Sequence, residues 1–318
     1  MSLLLEINGS GDNWGVAPWR DRFASRLPQH PVLLPDEAHA APERVRYAAV
    51  WKPRPGLLAA MPKLEVIFNL GAGVDALLKD GTLPNVPLVR VVNTDLTKRM
   101  TEYVVMHVLM YHRQQRRFVA QQAERIWDAP EQAAAGELRV GLLGLGELGR
   151  DSADVLQRIG FQVAGWSRSA KTLPGVTCFS GADGLAPFLA RTDILVALVP
   201  LTPDTHGILD MRLFKGLARD GVLGRPVIVN AGRGGLQVES DILAALDDGT
   251  LGGATLDVFE TEPLPADSPL WGHPLVTVTP HNAADSSPSA IADDVAAQIL
   301  AYEAGKALRN VVDRAKGY

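Results

Sequence analysis

Hydrophobic and polar positions along the chain follow two alternating patterns. Short apolar runs bounded by turn residues read as buried strands at Leu3 to Ile7, Pro31 to Leu34, Ala48 to Trp51, Val66 to Leu70 and Leu88 to Val92. Between them, apolar residues at helical spacing predict helices over Trp19 to Leu27, Gly56 to Met61 and Val74 to Leu78. The alternation predicts a first α/β unit, a small and mostly parallel sheet under covering helices. One long amphipathic stretch from Thr101 to about Gln122 then predicts a helix leading into a second unit. That unit, Leu138 to about Ala284, has strand candidates at Val140 to Leu143, Val163 to Trp166, Ile194 to Val199, Val227 to Asn230, Ala254 to Phe259 and Val276 to Thr279. Six strands with helices between most of them match a doubly wound dinucleotide-binding sheet. An Ala-rich stretch from Ser287 to about Leu308 predicts a last helix with Pro288 in its first turn. If that helix packs back on the first unit, residues 1–100 and 285–318 form one discontinuous domain and residues 101–284 the other.

The second unit opens on Val140-Gly141-Leu142-Leu143-Gly144-Leu145-Gly146-Glu147-Leu148-Gly149, a strand, a tight turn and the start of a helix. Gly144, Gly146 and Gly149 stand at the G-x-G-x-x-G spacing: the first permits the turn, the second lets backbone approach a pyrophosphate, and the third lets helix pack on strand. The free N–H groups of the helix then face the pyrophosphate. At the end of the next strand, where NAD-preferring sites place an acid for the ribose hydroxyl, the chain reads Ser167-Arg168-Ser169-Ala170-Lys171. With no carboxylate there, Arg168, helped by Ser167, Ser169 or Lys171, suits a 2′-phosphate, which favours NADPH over NADH.

Composition narrows the function classes. At 318 residues, 47% hydrophobic and 21% charged, the chain reads as a soluble globular protein of two domains. A net charge of −5 argues against a nucleic-acid surface. No apolar run approaches the length of a membrane span, and Met1 to Ile7 lacks the basic segment and long apolar core of a secretory signal. A single cysteine, Cys178, leaves no intrachain disulfide, so the expected compartment is the cytoplasm.

Open α/β sheets bind ligands beyond the carboxyl ends of their strands, where three polar residues stand out. Arg233 follows Val227 to Asn230 among small residues, and its planar fork suits a carboxylate. Glu262 closes the run Leu256-Asp257-Val258-Phe259-Glu260-Thr261-Glu262, and His281 follows Val276-Thr277-Val278-Thr279-Pro280. A histidine beside a carboxylate favours the imidazolium form, which can protonate an alkoxide as hydride reaches a carbonyl carbon.

Five motifs, in order, resemble the D-isomer-specific 2-hydroxyacid dehydrogenases: the glycine turn, Val196-Ala197-Leu198-Val199-Pro200-Leu201-Thr202-Pro203-Asp204-Thr205, Val229-Asn230-Ala231-Gly232-Arg233-Gly234, Asp257-Val258-Phe259-Glu260-Thr261-Glu262-Pro263, and Thr279-Pro280-His281-Asn282-Ala283. Asn69-Leu70-Gly71-Ala72-Gly73-Val74-Asp75 extends the resemblance into the first unit, where the family holds the substrate carboxylate on loop N–H groups, here at Ala72 and Gly73. The resemblance implies a Rossmann cofactor domain, a flavodoxin-like substrate domain and a homodimer, to which the Thr101 helix can contribute. It makes Arg233 the substrate-orienting cation, His281 the acid/base and Glu262 its tuning partner. Asp257 would hold the nicotinamide carboxamide, and Leu145 to Leu148, Arg168, Leu198, Val199, Pro200, Ala231 and Gly232 would line the cofactor. Trp51 in Val50-Trp51-Lys52-Pro53, the Trp166-Ser167-Arg168-Ser169 turn and Met100-Thr101-Glu102-Tyr103 are most similar to the glyoxylate- and hydroxypyruvate-reducing branch, in which the tryptophan walls the substrate pocket. Gly235-Leu236-Gln237 departs from what many relatives carry. The expected activity is NADPH-dependent reduction of a short 2-oxo acid. A larger, aromatic 2-oxo acid and a corepressor-like dinucleotide sensor stay open as alternatives.

Overall fold

The computed structural model describes residues 1–8, 14–284 and 286–315. The chain divides into two compact units, Met1–Leu96 with Ser286–Tyr318, and Thr97–Asp285.

The first unit is built on a five-stranded parallel sheet: β1 (Ser2–Ile7), β2 (Val32–Leu33), β3 (Val45–Trp51), β4 (Val66–Asn69) and β5 (Leu88–Arg90), in the order β2-β1-β3-β4-β5. This is the flavodoxin-like order. Both faces of the sheet are covered, so its strands are apolar runs without polar alternation. Leu3 and Leu5 of β1 join Trp19, Phe23 and Phe68 on one face, while Leu4 joins Ala48, Val50 and Ile67 on the other. The helix Pro288–Glu303 buries Ile291, Val295 and Ile299 in the first of these clusters.

The second unit carries a seven-stranded sheet: β6 (Arg139–Leu143), β7 (Gln162–Ser167), β8 (Thr177–Ser180), β9 (Ile194–Ala197), β10 (Val227–Asn230), β11 (Gly253–Leu256) and β12 (Val276–Val278). Its order is β12-β11-β10-β9-β6-β7-β8, and every pairing is parallel. The direction of winding reverses between β6 and β9, which places a topological switch point at their carboxyl ends. Leu143, Leu195 and Ile228 fill one face and Leu142, Val196 and Val229 the other.

Several elements differ from the sequence reading, among them a helix at Pro35–Ala40. The segment Gly56 to Met61 contains only the 3-10 turn Leu58–Ala60. The long amphipathic stretch is two helices, Thr94–His112 and Gln115–Glu124, broken where Gln114 takes φ 51°. The first of these starts well before Thr101 because Asn93 Oδ1 accepts the Leu96 N–H at 2.8 Å and so caps a polar first turn. The seventh strand, β8, lies at the sheet edge and has no fully buried residue, so it leaves little hydrophobic signature.

Candidate active site

The glycine turn lies at the switch point. Gly144 takes φ 117°, a left-handed conformation that suits glycine, and a Cβ there would press on the backbone of Leu198 and Val199 beyond β9. Leu198 N–H also donates to Leu143 O at 2.8 Å, tying the two strand exits together. A Cβ on Gly149 would collide with Gly144 O, so the helix Glu147–Ile159 descends onto the turn at contact distance. In front of the turn there is open space: nothing lies within 4 Å of where a Gly146 Cβ would stand, and Gly146 and Glu147 are exposed. Gly146 is the N-cap of the helix, and no side chain caps it. Uncapped N–H groups at an open helix N-terminus are what a pyrophosphate requires, so this cradle fits a dinucleotide.

Other cofactor candidates gather at the same sheet end. Ser167 ends β7, its hydroxyl donates to Ser169 O at 2.7 Å, and Arg168, Ser169 and Lys171 are exposed on the turn that this bond tightens. Leu198, Val199 and Pro200 leave β9, while Ala231 and Gly232 leave the neighbouring β10. Ala231 N–H donates to Ala197 O at 3.4 Å, and a Gly232 Cβ would stand 3.2 Å from Val199 O.

The chemistry-bearing residues come together one strand further along. Glu262 Oε2 lies 2.7 Å from His281 Nδ1, and its Oε1 accepts Phe259 N–H at 3.1 Å. A carboxylate only accepts, so Nδ1 carries the hydrogen and the tautomer leaves Nε2 available. The His281 side chain is 44% exposed and that of Glu262 28%, and among the described residues Nε2 has no protein partner. His281 takes φ 52°, in the left-handed region that non-glycine residues seldom enter. Its turn is organised by Asp257, 2% exposed, whose Oδ1 accepts Thr279 Oγ1 at 2.7 Å and Asn282 N at 2.9 Å, and whose Oδ2 accepts Ala283 N at 3.0 Å. Asp257 therefore holds the histidine turn from beneath. One lone pair on Oδ2 remains uncommitted to these bonds.

Arg233 is half-buried on the loop that follows β10, and its Nη1 donates to Gly232 O at 2.7 Å. Gly234 fixes where this loop lies, because a Cβ there would overlap the backbone of Phe259 and Glu260. The arginine loop is thus pressed directly against the loop that carries Glu262. Two residues missed in the sequence lock this contact. Buried Asn230 donates to Arg233 O at 3.1 Å and to Gln237 Oε1 at 2.8 Å, while accepting Gly232 N–H at 3.1 Å. Buried Gln237 passes the connection to Val258 O at 3.0 Å. The signal for Asn230 was an amide closing the apolar run of β10, which must find partners once buried. Gln237 gave no comparable signal.

In the first unit, Trp51 ends β3 half-buried, stacked on Trp14 with centroids 5.1 Å apart, and a Gly71 Cβ would collide with its ring. Asn69 Nδ2 donates to Gly71 O and Gly73 O, each at 2.8 Å, so the loop carbonyls turn inward. Among the described residues, the N–H groups of Ala72 and Gly73 donate to no protein group. Among the described residues, no helix is long and apolar enough to cross a membrane, and no cluster of candidate metal ligands occurs.

Residues 105–283 match the profile of the D-isomer specific 2-hydroxyacid dehydrogenase, NAD binding domain. The chain belongs to the D-isomer specific 2-hydroxyacid dehydrogenase family and is an enzyme of that family. It is 42% identical over 306 residues to a glyoxylate/hydroxypyruvate reductase A of Serratia proteamaculans, an alignment covering 94% of this chain and 96% of the relative. Among solved structures it is similar to an NADPH-dependent glyoxylate/hydroxypyruvate reductase from Sinorhizobium meliloti in complex with NADP and sulfate, with TM-score 0.93, 44% identity and 100% of both chains covered. It is also similar to a probable 2-hydroxyacid dehydrogenase from Rhizobium etli in complex with NADP, HEPES and L(+)-tartaric acid, with TM-score 0.92, 45% identity, and 100% of this chain and 99% of that one covered.

Proposed function

We propose that this protein reduces a short 2-oxo acid, such as glyoxylate or hydroxypyruvate, to the 2-hydroxy acid with NADPH. The observation that carries this reading is the Glu262–His281 contact of 2.7 Å on a turn fixed by Asp257, with the arginine loop packed against the Glu262 loop. When bound, NADPH supplies the hydride that goes to the carbonyl carbon. Gly144, Leu145, Gly146, Glu147, Leu148 and Gly149 would hold its pyrophosphate, with Leu198, Val199, Pro200, Ala231 and Gly232 beside it. The free lone pair of Asp257 suits a carboxamide donor. The guanidinium of Arg233 grips the substrate carboxylate, which orients the carbonyl. His281, held through Nδ1 by Glu262, gives a proton from Nε2 to the carbonyl oxygen. For Trp51, Ala72 and Gly73 the support is local: unsatisfied loop amides suit a carboxylate, and the packed tryptophan suits a small substrate.

Arg168 and Lys171, with no acid on the turn after β7, support NADPH over NADH. Steady-state rates with glyoxylate, hydroxypyruvate and phenylpyruvate, each with either cofactor, test the proposal. The two short acids with NADPH should give the highest kcat/KM. Preference for phenylpyruvate would move the substrate class to aromatic acids, and NADPH binding without turnover would favour a dinucleotide sensor. Arg168→Asp should lower the NADPH/NADH ratio of kcat/KM by about tenfold or more, since one charge-assisted contact is lost and a like charge gained. An unaltered ratio rejects the assignment of Arg168.

The second unit leaves apolar side chains in solvent at Met106 (56%) and Val119 (57%) on the helices Thr94–His112 and Gln115–Glu124 and at Trp127 (100%) just after them, which supports a homodimer formed through this segment. Sedimentation should return twice the chain mass, and Trp127→Glu should shift the protein toward monomer. A monomeric wild type contradicts the dimer.

A further inference from the structure

A hydrogen-bond chain runs from beneath His281 to a residue that the acid/base reading leaves without a task. Thr279 Oγ1 donates to Asp257 Oδ1 at 2.7 Å, and Tyr103 OH, from the helix Thr94–His112, lies 2.8 Å from Thr279 Oγ1. The threonine has one hydroxyl hydrogen and spends it on an acceptor-only carboxylate, so Tyr103 must be the donor. Tyr103 is 8% exposed, and this burial pushes its phenol well above the ordinary range, so it keeps that hydrogen throughout the working pH range. The far end of the chain is His281, whose N–H donates to Asp257 O at 2.8 Å and to Thr279 O at 3.1 Å while its backbone holds φ 52°. Such a conformation persists at a site only where surrounding contacts over-determine it.

We propose that Tyr103 and Thr279 are positioning residues for His281: through Asp257 they lock the turn and so fix the direction of the imidazole Nε2. The inference rests on the assignment of His281 as the acid/base. Removing the Tyr103 hydroxyl leaves Thr279 and Asp257 freer to rotate. The bonds to Asn282 and Ala283 then loosen, and His281 samples angles at which Nε2 misses the carbonyl oxygen. Proton transfer is steeply sensitive to such misplacement, whereas binding through Arg233 is not.

The helix supplies its own control. Two turns on, Tyr111 OH bonds Thr255 Oγ1 at 3.0 Å, another buried tyrosine–threonine contact, but neither residue bonds Asp257. Tyr103→Phe and Thr279→Val should each lower kcat about tenfold while KM for the 2-oxo acid stays at its wild-type value. Thr279→Ser, which keeps the hydroxyl, should restore kcat. The double variant Tyr103→Phe/Thr279→Val should lose no more than the worse single variant, because both break one chain. Tyr111→Phe should lower Tm as much as Tyr103→Phe and leave kcat intact. Wild-type kcat in Tyr103→Phe, additive losses in the double variant, or an equal kcat loss in Tyr111→Phe would overturn the proposal. His281→Ala measured alongside separates the two claims. If it keeps its kcat, the acid/base reading fails. If it loses kcat beside an unimpaired Tyr103→Phe, only the positioning role falls.

Discussion

His281→Ala should lower kcat for 2-oxo acid reduction by about 10²–10⁴-fold, the range that a positioned general acid contributes. The substituted side chain is exposed and packs in none of the core clusters, so Tm should hardly move. Neither the glycine turn nor the Arg233 loop draws a bond from the imidazole, so the NADPH Kd and the KM for substrate should change little. A fall in kcat with KM nearly constant marks an interaction made in the transition state alone. Glu262→Gln should act less severely, since an amide can still hold Nδ1–H through its oxygen but carries no charge. The measurement is steady-state NADPH oxidation across a range of substrate concentrations. Unchanged kcat in His281→Ala would remove the acid from the site.

Arg233→Ala should act differently, lowering kcat/KM by about 10²–10³-fold with both KM and kcat affected, because the carboxylate loses its grip and the carbonyl its orientation. Arg233→Lys should recover only part of this loss, since a point charge cannot match a carboxylate with two parallel bonds. The loop itself should survive either change. Asn230, Gln237 and the glycine contact at Gly234 hold it beside the bond that the guanidinium makes to Gly232 O. Retained kcat/KM in Arg233→Ala would reject its role as the carboxylate ligand.

Much of this site was legible in the sequence because its parts lie at the ends of fully buried parallel strands. Val227 to Asn230 and Val140 to Leu143 announce themselves as apolar runs, and the polar or glycine residue after each run marks the sheet end that binds ligands. Gly144, Gly146 and Gly149 were legible for the same reason, since their spacing states a backbone geometry directly. What stayed hidden depends on contacts between segments distant along the chain. Nothing local links Tyr103 to Thr279, 176 residues away, or Gln237 to Val258. Asp257 is the instructive case, because the family resemblance implied only a cofactor ligand. Its burial and its bonds to Thr279, Asn282 and Ala283 give it a second duty, holding the turn of His281. Edge strand β8 and the break at Gln114 escaped notice because neither leaves a periodic apolar trace.

A crystal structure with NADP and oxamate, an unreactive mimic of a short 2-oxo acid, is the most direct examination of the central claim. The oxamate carboxylate should lie in the fork of Arg233, with its amide carbonyl oxygen about 3 Å from His281 Nε2. Oxamate seated on Arg233 with His281 turned away, or bound clear of both, would contradict it.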